Sequence, residues 1–359
     1  MGAWGVKSTI ALALSILASV AASAQAQMPL SDTPEAFSQV LRAWTSKYSL
    51  GKAVVVVRHN GHIVHRGAVG GADPDAGYLL ASLSKAITGA CIAILIRDGK
   101  LSFETPLSIA LAKFFKAHGR PADPRAQRIT VAQLLTHRAG LAGNPDKDDG
   151  VTGRYLTSYL LTHSAGDNPA PALLAGALSR RLVHDPGAQF DYSNTGYLAL
   201  GTIVEEVTGK PYESFCSDAV LKPVGVAARL DPTWRVLWSF GGWRLTPADY
   251  LAFYDQFDPA RNVFGATAKT WMLSPAGRTT SADGQVWYGF GTYLRRIETG
   301  FNIWHTGSWR LANIQTFAVR RADGTEYFVW ANHAPTITGM RGELDREMLR
   351  AYRAVKKWE

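Results

Sequence analysis

Two residues three positions apart, Ser82 and Lys85, could together perform nucleophilic catalysis. They stand immediately before the apolar run 86–96, which predicts a buried helix. Residues at positions i and i+3 lie on one helical face, so the lysine would reach back toward the serine hydroxyl. Serine needs a base, and burial together with the positive end of the helix dipole would disfavour the charged ammonium. The pair therefore predicts a nucleophile with its base at a helix start.

The same spacing occurs a second time, at Ser49 and Lys52. Gly51 would interrupt a helix there, and the β-branched run 53–57 that follows is typical of a strand. The side chains of this second pair would not share a helical face. Because short motifs of common residues also arise by chance, other clusters have to support the assignment of Ser82.

A middle cluster contains Tyr192 and Asn194, two positions apart, just before the predicted helix 195–207. Both side chains can point into the same space. Asn194 also has an ordinary interpretation as the cap of that helix.

A late cluster contains His305, Thr306 and Gly307 in a predicted strand. Alternation sends His305 and Gly307 to one face of the strand and Thr306 to the other. The glycine would let a substrate approach the backbone closely. The ordinary interpretation of His305 is an edge-strand histidine.

Together, Ser-x-x-Lys at 82–85, Tyr-x-Asn at 192–194 and His-Thr-Gly at 305–307 resemble the three-box pattern of serine β-lactamases and penicillin-binding proteins. The tyrosine form of the middle box is similar to class C β-lactamases, D-alanyl-D-alanine carboxypeptidases and their esterase relatives. The resemblance covers about residues 35–335, and further stretches carry it. These stretches are 134–141, 186–187, 241–243 and 245–249.

The resemblance implies an acyl-enzyme mechanism without metal or cofactor. Ser82 would attack a carbonyl, and Lys85 with Tyr192 would take its proton and return it to the leaving group before water releases the acyl group. The main-chain N–H groups of Ser82 and Ser308 would form an oxyanion hole. The residues implied in substrate binding are Asn194, His305, Thr306, Gly307 and Ser308.

The third box departs from the β-lactamase form at His305. A lysine there would be a permanent cation near a substrate carboxylate, whereas histidine is largely neutral above its reference pKa of ~6.5. His305→Lys is therefore expected to improve turnover of carboxylate-bearing β-lactams at alkaline pH. A third box with histidine at this position resembles that of the carboxypeptidase-like and esterase-like members of the family.

The substrate class stays open among D-amino-acid peptides, β-lactams and small esters. A true class C-like β-lactamase and a receptor that penicillin acylates without turnover are the alternatives. A conventional α/β-hydrolase is disfavoured because the sequence has no Gly-x-Ser-x-Gly elbow.

The elements that must position these residues change in kind along the chain. Helix 35–48 and a hairpin of strands 54–58 and 63–69 around Asn60-Gly61 come first. Helices separated by Gly, Pro and Asp follow; they are predicted at 129–137, 153–162, 169–178, 195–207 and 246–257. Strands return at 286–294, 302–305, 314–320 and 326–331, and helix 342–356 closes the chain.

This order predicts an α+β fold of the β-lactamase/transpeptidase-like type. One antiparallel sheet would be built from both ends of the chain and flanked by the terminal helices. Residues 28–100 and 281–359 would form this α/β lobe, and residues 101–280 would form an inserted, mainly helical lobe. A cleft between the two lobes would hold the active site.

The first 24 residues are expected to be a cleaved secretory signal, with cleavage after 24 or 26. Their apolar stretch, 10–22, is shorter than the ~20 residues that span a bilayer, so a retained membrane anchor is disfavoured. We therefore expect a secreted, periplasmic protein without a stable anchor after cleavage.

The composition limits the choice of partner. The chain has 359 residues, of which 47% are hydrophobic and 19% charged, and this excludes disorder and a coiled coil. The net charge of +9 is not concentrated in a basic run. The expected partner is therefore a small-molecule or peptide substrate and not a nucleic acid.

Several histidines and two cysteines could serve as metal ligands or as a cross-link. His62 and His65 flank the hairpin turn with His59, but strand alternation would put His62 and His65 on opposite faces, which argues against a metal site. Cys91 and Cys216 could pair in an oxidising compartment, yet each falls in an apolar, helical segment. Two buried free thiols are expected.

Overall fold

The computed structural model describes residues 29–141, 168, 170–332 and 339–359. The expected signal segment and the predicted helix 153–162 lie outside these residues. No helix in the described part of the chain is both long and apolar enough to cross a membrane.

The centre of the fold is a seven-stranded antiparallel sheet with the strand order β2-β1-β10-β9-β8-β7-β6. Its strands are β1 (Lys52–His59), β2 (His62–Val69), β6 (Val286–Gly289), β7 (Thr292–Ile297), β8 (Gly300–Trp309), β9 (Ile314–Arg320) and β10 (Thr325–Asn332). Asn60 and Gly61 both adopt positive φ between β1 and β2, as the hairpin prediction requires. Because β1 pairs with β10, the sheet joins the two ends of the chain.

One face of the sheet is covered by the terminal helices α1 (Glu35–Lys47) and α12 (Met340–Ala354). Alternate residues of the central strands, including Val55 and Val57, pack against them. The predicted antiparallel sheet with flanking terminal helices, and with it the α+β class, is confirmed.

The other face packs on helix α2 (Ser84–Arg97), in which all residues before Arg97 are buried. A helix that is apolar on all sides is typical of a protein core. It ends at Arg97 with Asp98 as its C-cap, and Gly99 follows at positive φ, as is common just past a helix. The helix that carries Lys85 is therefore enclosed.

The remaining helices surround α2 on this side of the sheet. They are α3 (Leu107–Ala110), α4 (Ala112–His118), α5 (Val131–Leu135), α6 (Ala170–Leu178), α7 (Asn194–Thr208), α8 (Tyr212–Cys216), α9 (Trp238–Gly241), α10 (Pro247–Tyr254) and α11 (Gly265–Leu273). A small second sheet, with the order β3-β5-β4, was not predicted; its strands are β3 (Tyr78–Leu79), β4 (Arg229–Leu230) and β5 (Trp243–Leu245). The lobe boundaries at 100 and 280 stay predictions.

The predicted strand 286–294 is in fact a hairpin. Phe290 and Gly291 adopt φ of 50° and 80° between β6 and β7. This turn packs directly on α2: a Cβ atom on Gly291 would lie 2.1 Å from the Lys85 carbonyl oxygen, and one on Gly89 would lie 2.2 Å from the Phe290 carbonyl oxygen. The turn therefore fixes the first part of the helix that carries Lys85.

The expectation of two free thiols is wrong, because Cys91 and Cys216 form a disulfide. Both lie in buried helical segments, as predicted, but α2 and α8 pack together and bring the two Cα atoms within 5.6 Å. This separation is within the range that a disulfide bridges.

The expectation that His62 and His65 lie on opposite faces is also wrong. The pairing of β1 with β2 shifts register between Val57 and Arg58, so that His62 lies opposite His59 and His65 lies opposite Val57. The bulge cancels one step of the alternation and turns both histidines to one face. No metal-binding group of three or more His, Cys, Asp or Glu side chains is found in the described part of the chain.

Candidate active site

Ser82 lies in the single 3-10 turn Ala81–Leu83 that leads directly into α2. Ala81 adopts φ of +48°, a conformation that residues other than glycine rarely take, and it places Ser82 partly exposed between two buried neighbours. The turn is held from outside, since the Leu80 N–H donates to the Trp243 carbonyl and the Leu80 carbonyl accepts from Thr316 Oγ1. A strained turn thus presents the serine hydroxyl at the helix start.

Lys85 is fully buried, and its Nζ donates hydrogen bonds to at least three groups in the described part of the chain. The acceptors Asn194 Oδ1 and the Phe240 carbonyl oxygen lie 2.7 and 2.8 Å away. Ser82 Oγ lies 3.1 Å away. Because the amide and the carbonyl are acceptors only at these atoms, they orient two Nζ protons, and the third direction faces the serine hydroxyl. In the neutral amine that direction carries the lone pair, which could take the proton of Ser82.

Tyr192 packs beside this pair, with its ring centroid 5.0 Å from Lys85 Nζ. Its hydroxyl is buried and has no hydrogen bond of normal geometry within the described residues. Burial raises the pKa of Tyr192 well above its ordinary value, and the nearby Ser82 hydroxyl offsets part of that rise. The geometry therefore favours a neutral phenol next to the serine and the lysine.

Asn194 is the first residue of α7, and it is not the cap. Ser193 occupies the cap position, and its Oγ accepts a hydrogen bond from the Gly196 N–H. This relieves Asn194 of the capping role and leaves its side-chain oxygen for Lys85. The alternative interpretation of Asn194 as a cap is thus wrong by one residue.

The third box lies on the part of β8 that extends beyond its ladder with β7. That ladder ends at Trp304, whereas the pairing with β9 continues to Trp309. The turn of Ser82 packs against the edge left open: a Cβ atom on Gly307 would lie 2.8 Å from the Leu80 carbonyl oxygen and 3.0 Å from the Ser82 amide nitrogen. The glycine therefore admits the nucleophile turn, and the close approach of a substrate expected from the sequence stays a prediction.

His305 lies beneath the site as a buried, neutral group. It is 2% exposed; Nδ1 bonds to the Thr306 carbonyl oxygen at 2.6 Å, and Nε2 lies 2.9 Å from the Tyr288 hydroxyl. A carbonyl only accepts, so the ring proton lies on Nδ1 and the tyrosine hydroxyl donates to Nε2. Burial first, and the charge of Lys85 second, lower the pKa of His305 to about 3. The expected conditional cation on the substrate side is therefore not what the structure shows.

Thr306 and Ser308 point their side chains to the opposite face of β8. Their cross-strand partners are Phe317 and Gln315, and Phe317 belongs to the core beneath α1 and α12. Ser308 nevertheless lines a pocket beside Ser82. Because its side chain lies on the opposite face of the strand, it presents its main chain to this pocket. The structure does not bring the side chains of His305 and Thr306 to this pocket.

The pocket beside Ser82 is small, about 20 Å³, and mostly apolar. Its lining residues are Ala81, Ser82, Asn194, Leu237, Phe240, Gly241, Ser308 and Trp309. The predicted residues Ser82, Asn194 and Ser308 meet here, with Lys85 and Tyr192 beside them. No sequence pattern points to a role for Phe240 or Trp309, although Phe240 directly precedes the stretch 241–243, which carries part of the resemblance.

Arg341, the second residue of α12, was also missed. Its positive charge lowers the pKa of Tyr192, Tyr293 and His305, although burial dominates at each of these groups. No spacing in the sequence links this arginine to the three boxes, because only the packing of the last helix across the sheet brings it near them.

A serine on a strained turn, hydrogen-bonded to a buried lysine of the following helix and packed against an antiparallel sheet, defines the class of serine acyl-transfer folds shared by β-lactamases and penicillin-binding proteins. A model of the family described as Beta-lactamase matches residues 37–351. The chain belongs to this family.

Solved structures agree on the fold. The D-amino acid amidase from Ochrobactrum anthropi SV3 has a TM-score of 0.70 at 17% identity, covering 89% of this chain and all of that one (100%). The D-stereospecific amidohydrolase from Streptomyces sp. has a TM-score of 0.67 at 21% identity, covering 83% and 94%. The octameric penicillin-binding protein homologue from Pyrococcus abyssi has a TM-score of 0.67 at 19% identity, covering 88% and 76%.

Curated relatives match over a part of their length. Protein flp of Staphylococcus aureus (strain NCTC 8325 / PS 47) is 29% identical over 153 residues, which are 43% of this chain and 28% of flp. The putative fimbrial assembly protein FimD, serogroup D, of Dichelobacter nodosus is 31% identical over 179 residues, which are 47% of this chain and 41% of that protein.

Proposed function

We propose that this protein is a serine hydrolase that cleaves amide or ester bonds through an acyl-enzyme on Ser82. The observation that carries the proposal is the contact of Lys85 Nζ with Ser82 Oγ at 3.1 Å, beside hydrogen bonds from Nζ to the Asn194 side chain and the Phe240 carbonyl oxygen. A nucleophile in hydrogen-bond reach of a base that is itself oriented is the arrangement that serine catalysis needs.

The proton path follows from the same contacts. As Ser82 Oγ bonds to the carbonyl carbon, its proton passes to neutral Lys85, and the carbonyl oxygen becomes an anion held by the main-chain N–H groups of Ser82 and Ser308. When the bond to the leaving group breaks, that group takes a proton from the pair of Lys85 and Tyr192. A water molecule then attacks the ester, gives its proton to the same pair, and restores the serine hydroxyl.

The substrate we propose has a small acyl group without a carboxylate, as in an amide, short peptide or ester of a small D-amino acid. Two observations support this choice: the pocket beside Ser82 is small, and His305 supplies no cation at the third box. Two of the structural neighbours are described as a D-amino acid amidase and a D-stereospecific amidohydrolase. A β-lactamase acting on carboxylate-bearing substrates is less well supported, since its carboxylate would lack the third-box cation.

Time-resolved intact mass spectrometry tests the proposal. Wild-type protein is mixed with D-alanine amide, D-alanine methyl ester or a fluorescent penicillin, and the acylated fraction is followed from seconds to hours. We expect acylation by the D-alanine compounds that clears within seconds, and none of it in Ser82→Ala. Ser49→Ala, in the second Ser-x-x-Lys sequence, is the matched control and should behave as wild type.

Other outcomes separate the alternatives. Penicillin labelling that clears within seconds would indicate a β-lactamase, and labelling that persists for hours would indicate a receptor without turnover. Acylation that survives in Ser82→Ala, or no acylation by any of the three compounds, would contradict the proposed function.

We also propose that the protein acts in the periplasm. The basic and apolar opening of the sequence supports an export signal, and the disulfide between Cys91 and Cys216 supports an oxidising compartment, where such bonds persist. Fractionation of cells that express the full chain, followed by N-terminal sequencing, should find the protein in the periplasmic fraction with its first 24 or 26 residues removed.

A further inference from the structure

A buried histidine that the mechanism above does not use holds the segment that carries Tyr192. His137 is 1% exposed, and its ring packs on the Tyr192 ring with centroids 4.2 Å apart. Its Nδ1 accepts a hydrogen bond from the Ser193 N–H at 3.0 Å. Because Nδ1 is the acceptor, the neutral ring carries its proton on Nε2.

The main chain of His137 holds the same segment from the other side. The Asp191 N–H donates to the His137 carbonyl oxygen at 2.8 Å. The residues before and after Tyr192 are thus both anchored to His137, one through its backbone and one through its ring. His137 adopts φ of +56°, which residues other than glycine rarely take, so the surrounding structure enforces this arrangement.

The surroundings keep the ring neutral. Tyr192, Tyr197 and Tyr288 pack around it, with centroids at 4.2, 5.1 and 4.6 Å. Burial first, and then the charge of Lys85, lower the pKa of His137 well below its ordinary value. A protonated ring could not accept from the Ser193 N–H, so this contact requires the neutral form.

We infer that His137 is a positioning residue: its Nδ1 holds the Ser193 amide and thereby fixes Tyr192 against Ser82 and Lys85. The inference rests on the proposed function. Tyr192 has no hydrogen bond of normal geometry at its hydroxyl within the described residues, so its backbone and the tilted imidazole packed against its ring hold its position. A displacement of that hydroxyl by about 1 Å is enough to slow a chemical step roughly 100-fold.

Two substitutions separate the acceptor from the ring. His137→Asn keeps a short acceptor and a residue that tolerates positive φ, whereas His137→Phe keeps an aromatic ring without an acceptor. We expect the rate of Ser82 acylation to fall roughly 10- to 100-fold in His137→Phe, with little change in KM, and to recover in part in His137→Asn. A rate in His137→Phe equal to or above that of His137→Asn would overturn the role of the acceptor.

A double-mutant cycle with Tyr192→Phe distinguishes positioning from general damage to the fold. If His137 acts through the tyrosine hydroxyl, His137→Phe should slow acylation little further once that hydroxyl is gone. Losses that multiply would overturn the inference. Thermal unfolding of each variant checks that it folds; should His137→Phe fail to fold, His137→Asn takes its place in the cycle.

Two controls complete the test. His118 also packs on an aromatic ring, that of Phe114, but lies in α4, so His118→Asn should acylate at the wild-type rate. Wild-type protein that is acylated by neither the D-alanine compounds nor the penicillin would contradict the proposed function. Wild-type protein that is acylated, with His137 variants that match it, would overturn this inference alone.

Discussion

Gly307 and Ser82 are in main-chain contact, since a Cβ atom on the glycine would lie 3.0 Å from the serine amide nitrogen. The same atom would lie 2.2 Å from Thr316 Oγ1, the group that donates to the Leu80 carbonyl before the nucleophile turn. The absence of a side chain at one position of β8 therefore sets the distance between the strand of the third box and the turn of the first. Both proposed oxyanion donors, at Ser82 and Ser308, depend on that distance.

Gly307→Ala should consequently disable the site by displacing the turn. The new methyl group would overlap backbone atoms on the side of Leu80 and Ser82, and main chain yields less readily than the end of a flexible side chain. We expect the acylation rate to fall roughly 100-fold and unfolding to become easier by about 1–3 kcal/mol. Stopped-flow acylation and urea denaturation measure the two effects.

Gly342→Ala is the matched control for this substitution. Gly342 lies inside α12, where the nearest atom to a new Cβ is the flexible Arg346 Nη1 at 3.6 Å. An alanine there should leave acylation unchanged and stabilise the helix by up to about 1 kcal/mol. Wild-type acylation in Gly307→Ala would show that the contact with the turn does not govern the site.

His305 is predicted to stay neutral between pH 5 and pH 8. Its pKa lies at about 3, so its ring should not titrate between pH 5 and pH 8. Two-dimensional NMR of the imidazole nitrogens should show one neutral tautomer, protonated on Nδ1, over that range. A ring that gains a proton near pH 6.5 would contradict the buried contact with Tyr288.

The same burial reverses the effect expected of His305→Lys from sequence. An ammonium there would lie in a closed space and would leave the Tyr288 hydroxyl without its acceptor. We expect a loss of about 3–5 kcal/mol of stability, as for an uncompensated buried charge, and no gain in turnover of carboxylate-bearing β-lactams. Improved turnover of these compounds at pH 8 to 9 would restore the expectation from the sequence.

The sequence predicts the local elements well because their causes are local. The apolar run after Ser82, the turn at Asn60-Gly61 and the alternation of 314–320 each determine their own backbone. The burial of His305 and the contact at Gly307 depend instead on which edge of β8 the chain leaves unpaired. That edge results from the pairing of strands far apart in the sequence, so no local pattern reveals it.

The cysteines illustrate the same limit. Each helix that holds one was recognised as buried, but pairing requires α2 and α8 to pack in one particular register across 125 residues of chain. The β-bulge between Val57 and Arg58, which turned His62 to the face of His65, has a similar origin in strand pairing. A spacing of residues can suggest such contacts, and only the tertiary arrangement decides them.

The disulfide should make a large contribution to stability. It closes a loop of 125 residues. In the loop-entropy description, removing it therefore lowers the free energy of the unfolded chain by about 5 kcal/mol. The double variant Cys91→Ala with Cys216→Ala should therefore melt roughly 10 °C lower. A reductant should lower the melting temperature of the wild type and leave that of the double variant unchanged. Two free thiols in the unreduced, denatured wild type would contradict the pairing.

A buried ionic network across the sheet makes stability depend on pH. Glu326 on β10 is 1% exposed and lies between Arg58 on β1, which binds it at 2.7 Å, and Arg320 on β9, whose Nε is 3.7 Å away. Arg320 also binds Asp258, and Arg58 lies 3.5 Å from Asp255. Burial, partly offset by Arg58, raises the pKa of Glu326 to about 7.

The sign of the effect follows from this raised pKa. Between the unfolded value of 4.5 and the folded value of about 7, the folded carboxyl holds a proton that the unfolded chain has lost. A rise in pH through that window therefore lowers the free energy of unfolding by up to about 3 kcal/mol, because each pKa unit of difference corresponds to about 1.36 kcal/mol. His137 and His305, whose pKa values are lowered, act in the opposite direction below pH 6.5. The wild type alone thus cannot isolate the effect of Glu326.

Glu326→Gln isolates it, because glutamine imitates the protonated carboxyl and does not titrate. We expect the variant and the wild type to have similar free energies of unfolding near pH 5, and the variant to be more stable by about 3 kcal/mol at pH 8. Both histidines are present in both proteins, so their contribution cancels in the difference. Urea denaturation at half-unit steps from pH 5 to pH 8 provides the measurement. A difference that stays constant across this range would mean that Glu326 is ionised throughout, held charged by Arg58 and Arg320.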